Sequence, residues 1–188
     1  MPPKIRITRN DIVNKTIEII RENGIEAVNA RSIAKALNCS TQPIFSNFAS
    51  MEDLQNEVLS SAYGVYRSFL EKEVKDEKYP KYKAFGMAYI RFAKEEKELF
   101  KFLFMRDRSE EDLSPSPDFE ESVQMIMKAN DLTHERAMLF HLELWSCVHG
   151  IGTMLATSFL PLEWDRISDM ISDMYKGLVA RHTSEDKQ

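Results

Sequence analysis

Residues 29–48, NARSIAKALNCSTQPIFSNF, constrain what this chain can fold into more than any other stretch. They read as two short helices joined by a tight turn, the second with small polar side chains on its outer face. Asn29 is placed to cap the first helix, its side chain accepting from an orphan amide one or two residues on. Ile33, Ala34 and Leu37 follow at helical spacing and form its apolar face. Asn38 stands where that helix should stop, and Asn tolerates the left-handed backbone of a C-cap. Ser40 is expected to open the second helix as its N-cap, with Pro43 in the first turn, where a missing amide costs little. Ile44, Phe45 and Phe48 are expected to point one way, and Thr41, Gln42, Ser46 and Asn47 the other. A helix–turn–helix with a polar second helix is the geometry that lays a helix into the DNA major groove.

The flanks extend the pattern. Thr8 with Asp11 predicts a capped first helix, buried through Ile12, Val13, Thr16, Ile17 and Ile20 and ended at Asn23-Gly24. Ser50 with Asp53 opens a fourth helix, with Leu54, Val58, Leu59 and Ala62 inward, running to about Val74. Taken together, Thr8, Gly24, Ile33-Ala34, Ser40, Phe45, Phe48 and Leu54 resemble the DNA-binding domain of the TetR family of transcriptional regulators. The resemblance covers roughly the first third of the chain. It implies an all-α protein: an N-terminal three-helix helix–turn–helix domain, residues 1–50, joined by a long helix to a C-terminal dimerisation and effector-binding bundle, residues 51–188. Two residues depart from the family, Phe45 where Tyr is usual and Met51 where Lys is usual. Both usual residues contact phosphate in relatives, so fewer backbone contacts are expected here. Asn38 also replaces a common Gly.

Contacts with double-stranded operator DNA are expected from two sets of residues. Asn29, Arg31 and Ser40 sit at helix starts, where amides and side chains meet phosphate. Thr41, Gln42, Ser46 and Asn47 suit base edges, since Gln and Asn pair bidentately with adenine, and Pro43 offers apolar contact to a thymine methyl. Lys35 reads equally as surface charge. The basic arm at residues 2–7 either reaches a neighbouring groove or is a solvated terminus.

Net charge is −5, against nucleic acid on its own, but residues 1–48 carry seven Lys and Arg against four Asp and Glu, leaving −8 on the remainder. A basic end on an acidic body is the asymmetry expected when one end meets phosphate. Hydrophobic content of 43% with only 6 Gly and 7 Pro, and no alternating strand pattern, favours an all-helical fold. No apolar run approaches the ~20 residues of a membrane span, and the first residues lack a signal-peptide core, so a cytoplasmic protein is expected. Cys39 and Cys147 are expected as reduced thiols.

Past Lys75–Pro80, helices are expected over Lys81–Lys94, Glu95–Met105, Asp118–Asn130, Thr133–Ser158 (stopped by Pro161) and Glu163–Arg181. A loop is expected at Arg106–Pro117 and a polar disordered tail at Thr183–Gln188. The family resemblance implies that this body encloses a small apolar or amphipathic effector and forms a homodimer through its last two long helices. Its candidate pocket residues are Tyr89, Phe92, Phe104, Met105, Met125, Trp145 and His149; on helical spacing alone the Met and aromatic residues read first as ordinary core fillers, and only the resemblance implies a pocket. His141, Trp145 and His149 share one helix face. The two histidines are too widely spaced to meet one ion without distortion, so no metal is expected, and hydrogen-bonded histidines are the plainer reading.

No cofactor loop or catalytic constellation appears in motif context, so no enzyme is expected. Two other classes frame the regulator reading. One is a helical binding module acting through a protein partner rather than a small effector, discriminated by an exposed apolar groove beyond the dimer seam. The other is a small helical enzyme, which would need a pocket with perturbed titrating groups around His141 or His149.

Overall fold

The computed structural model describes residues 7–109 and 117–184. Among the described residues run nine α-helices, a short 3-10 turn at Ile25–Ala27 and no strand. They are α1 (Arg9–Asn23), α2 (Ala30–Ala36), α3 (Gln42–Asn47), α4 (Met51–Lys75), α5 (Lys81–Glu95), α6 (Lys97–Phe104), α7 (Pro117–Asn130), α8 (His134–Ala156) and α9 (Trp164–Ser184). The chain divides into two compact units, Met1–Ser68 with Glu96–Arg106, and Phe69–Glu95 with Asp107–Gln188. The first therefore runs past residue 50 and takes in α6.

In the first unit α1 forms because both its ends are satisfied locally. Thr8 and Asp11 close a reciprocal capping box, and their hydrogen bonds hold the Asp11 carboxyl below the usual carboxylate range. Ile12, Val13, Thr16, Ile17 and Ile20 are buried as expected, joined by Ile19, and the Thr16 hydroxyl donates to the Ile12 carbonyl at 2.8 Å. Gly24 ends the helix at φ +77°, where a Cβ would also come within 3.2 Å of the Glu98 carboxylate. α6 packs on α1 with Leu99, Phe100 and Leu103 buried, and Glu96 takes both Arg21 Nε (2.9 Å) and an Arg21 terminal nitrogen (2.7 Å). The helix expected from Glu95 begins at Lys97 instead. Glu96 leaves the helical region at φ −119°, ψ 54° and offers its carbonyl to the Phe100 amide. Phe104 closes that end edge-on to Tyr63 and Tyr66 of α4.

In the second unit α8 is central, packed by α5, α7 and α9. Val123, Ile126, Leu132, Ala137, Phe140, Leu144 and Leu178 form one buried cluster. Each such large side chain stabilises the fold by about 2 kcal/mol. Gly86 lets α5 approach α8, since a Cβ there would sit 3.3 Å from Val148. α4 enters this unit at Phe69, which meets Phe92 edge-on, while buried Glu73 (3% exposed) accepts from Arg91 at 2.8 Å. Arg91 in turn lies 4.2 Å over the Trp164 ring.

α8 ends at Ala156, five residues before Pro161, which corrects the expected stop. Ser158 adopts φ +55°, its amide bonds Leu155 O and the Phe159 amide bonds Met154 O, a hydrogen-bonded C-cap with serine in the place usually held by glycine. α9 continues to Ser184, so Thr183 and Ser184 are helical and the rest of the expected tail lies outside the described residues. Of the expected loop, Arg106–Ser109 are non-helical, Pro117 opens α7, and residues 110–116 lie outside the described residues. The basic arm does too, except for Ile7.

Candidate nucleic-acid interface

α2 is short, and its ends hold it. The Asn29 side chain accepts from the Arg31 and Ser32 amides (3.1 and 3.0 Å), and Ser32 Oγ returns a bond from the Asn29 amide at 3.0 Å. At the other end Asn38 sits at φ +51°, and the Asn38 and Cys39 amides reach back to Lys35 O (3.1 Å) and Ala34 O (2.9 Å). The left-handed Asn therefore makes the turn into α3.

α3 starts one step later than Ser40 as cap would require. Thr41 takes the cap position (φ −72°, ψ −13°), its carbonyl accepts from the Ile44 and Phe45 amides, and no side chain caps the helix. Pro43 lies in the first turn, as expected. Ile44 and Phe48, four residues apart, are buried. Phe45 does not join them; it is 53% exposed. At 100° per residue it shares its face with Gln42 and Ser46, three residues before and one after. Both of these are exposed, Thr41 and Pro43 are half-buried, and Ser46 Oγ donates to Gln42 O at 2.9 Å.

Asn47, expected beside them, turns back instead. Its side-chain amide donates to Pro43 O (2.8 Å) and Ile7 O (3.4 Å), and its carbonyl accepts from Arg9. Arg9 is the residue that sequence reasoning missed. Its guanidinium lies 4.1 Å over the Phe48 ring and bonds Glu57, with Asp53 at 3.8 Å, so it ties α1 to α3 and α4. No local signal marks it, because its partners lie 38 to 48 residues away. Arg31 and Lys35 are exposed and make no ion pair among the described residues. Ser40 is exposed, and Met51 is the half-buried first residue of α4.

The expected pocket residues scatter. Tyr89 and His149 meet, hydroxyl to Nδ1, at 2.8 Å, and Trp145 stacks on His149 with centroids 5.1 Å apart. Phe92 is fully buried, Met125 is half-buried on α7, and Phe104 and Met105 belong to the other compact unit. His141 is hydrogen-bonded too, with Tyr82 at 2.9 Å and the Phe119 ring edge-on at 4.7 Å. Burial lowers His141 to about 4 and raises the Tyr82 phenol, so Tyr82 donates to a neutral ring at Nδ1 and the proton sits on Nε2. Burial also pushes the Cys147 thiol up, and both cysteines are free.

On the α8–α9 side Leu139, Leu142, Trp145, Met170 and Met174 are exposed, beside an apolar groove of about 460 Å³ lined by Cys147, Met170, Asp173, Met174, Gly177 and Leu178. α9 presents this face through a doubled Ile-Ser-Asp-Met run, 167–174. Its isoleucines are buried, its methionines face out, and its two serines take the Lys83 ammonium at 2.7 Å each. No group of three His, Cys, Asp or Glu among the described residues could hold a metal ion, and no helix there is long and apolar enough to cross a membrane.

A family model described as "Tetracyclin repressor-like, C-terminal domain" matches residues 82–176, half of the chain. The fold is also that of solved structures. A protein of unknown function from Rhodococcus sp. RHA1 has TM-score 0.68 at 17% identity, over 94% of this chain and 97% of that one. A TetR family member from Streptomyces coelicolor A3 has TM-score 0.58 at 13% identity, over 88% and 96%. The multidrug binding protein EbrR, complexed with imidazole, has TM-score 0.57 at 14% identity, over 88% and 93%. No curated protein matches the sequence. A chain that carries a capped helix–turn–helix and a helical body matching this family model is of the transcriptional-regulator class. The chain belongs to the TetR family.

Proposed function

We propose that the chain is a homodimeric repressor that binds an inverted-repeat operator through α2 and α3 and is released or tuned by a small apolar or amphipathic effector. The observation that carries this reading is the outward face of α3. Gln42 and Ser46 stand exposed on a helix whose other side is anchored by Ile44 and Phe48. Gln42 pairs with adenine, Ser46 accepts from a base edge, and Thr41 and Pro43 flank them. Asn29, Arg31 and Ser40 grip phosphate. Asn47 serves by holding α3 against Ile7 and Arg9 rather than by reading bases.

Two copies meet through α8 and α9, burying Leu139, Leu142, Met170 and Met174 and filling the groove beside them. The effector binds in the body, where Tyr89, His149 and Trp145 combine aromatic faces with a hydroxyl–imidazole pair. The likeness to a multidrug binding protein supports a small organic ligand. An effector that fits one state of the body better shifts the dimer toward that state and weakens DNA binding by its differential affinity. The protein acts in the cytoplasm, on DNA.

The test is selection of fragments from the source genome with purified protein. Enrichment of a short inverted repeat supports the reading. No enriched fragment at low salt, with the protein shown folded and dimeric, sinks it.

A further inference from the structure

The exposed ring of Phe45 is unexplained by the fold. A phenyl ring that is 53% exposed stands in the middle of a six-residue helix, between Gln42 and Ser46, and makes no ring contact with any described residue. It has no hydroxyl with which to bond phosphate. On a helix that enters a major groove, such a ring has one base-specific partner, because thymine alone presents a methyl group there.

We infer that Phe45 is a specificity-determining residue that takes the C5-methyl of a thymine. The inference rests on the proposed DNA-binding role of α3 and names what that helix reads. The neighbouring side chains fit the same base pair. The Gln42 amide makes no hydrogen bond among the described residues, which leaves its donor and acceptor for adenine. Ser46 spends its proton on Gln42 O and keeps its lone pairs for a base amino group. α3 therefore reads A·T steps, the purine by hydrogen bonds and the pyrimidine by its methyl. Exposed Arg31 and Lys35 on α2 supply the sequence-independent attraction.

The experiment replaces each thymine of a selected operator singly by deoxyuridine, which removes only the methyl, and measures binding of the full-length protein. At one thymine per half-site the swap weakens wild-type binding about fourfold, the worth of one buried methyl, and about fifteenfold when made in both half-sites. Phe45→Ala is indifferent to the same swap, while Phe45→Tyr, which keeps the ring, retains the dependence. Phe45→Gln, polar and without a ring, gives the same indifference and guards against a local effect of alanine on α3. Wild-type binding that depends on no thymine methyl overturns the inference, as does equal dependence in wild type and both ring-less variants. Uniformly weaker binding of those variants to all sequences also overturns it, because the ring would then lie against the backbone. If the wild-type protein binds no DNA at all, the regulator reading fails and takes this inference with it.

Discussion

Asn38 and His141 show how single residues set local conditions in this fold. Asn38 holds φ +51° so that two amides can close the turn between α2 and α3. An alanine there would carry the left-handed penalty without the side chain that eases it, about 1 kcal/mol, whereas glycine would not. Urea melts should therefore rank Asn38→Gly at or above wild type and Asn38→Ala below it; equal loss in both would contradict the turn's role. His141 acts through its proton. Its folded-state value of about 4 lies below the ordinary 6.5, so on acidification the unfolded chain takes up a proton first. Stability is then full above pH 6.5 and falls as pH drops toward 4, by about 2 kcal/mol between pH 7 and pH 5. His149 is shifted down by burial too and adds to the same slope. Urea midpoints across this range, with His141→Phe flattening the slope, check the sign; a wild-type midpoint unchanged from pH 7 to 5 would contradict it.

At the scale of elements, legibility depended on how local the determining contacts are. The capping residues Thr8, Asn29 and Thr133 mark helix starts because each bonds an amide two or three residues away. α3 was legible as an element but not in its facing. Six residues make under two turns, and the facing is fixed by Arg9 and Ile7, from the other end of the unit's sequence. The break at Glu96 and the stop before Ser158 were legible to within two residues, although neither carries a Gly or Pro signal. The pocket residues were scattered because Met and aromatic periodicity marks a buried face without saying what faces it. The joint of α4 with α5 carries no local signal: Glu73 is buried, and its carboxylate is met by Arg91, 18 residues further along the chain. Arg91→Met should cost about 3 kcal/mol by stranding that charge, and Glu73→Gln in the same background should recover much of the loss. Additive losses in the double variant would mean the pair is not coupled.

In the whole molecule one continuous helix, α4, runs from one compact unit into the other, its residues to Ser68 belonging to the first and those from Phe69 to the second. The proposed function requires two such chains on one operator. The direct measurement is a titration of the selected duplex at several salt concentrations, with the mass of the complex determined by sedimentation. The expected result is one duplex bound by an even number of chains, with log K falling linearly against log salt by about 0.9 for each phosphate neutralised. A complex with a single chain, or binding indifferent to both salt and sequence, would contradict it.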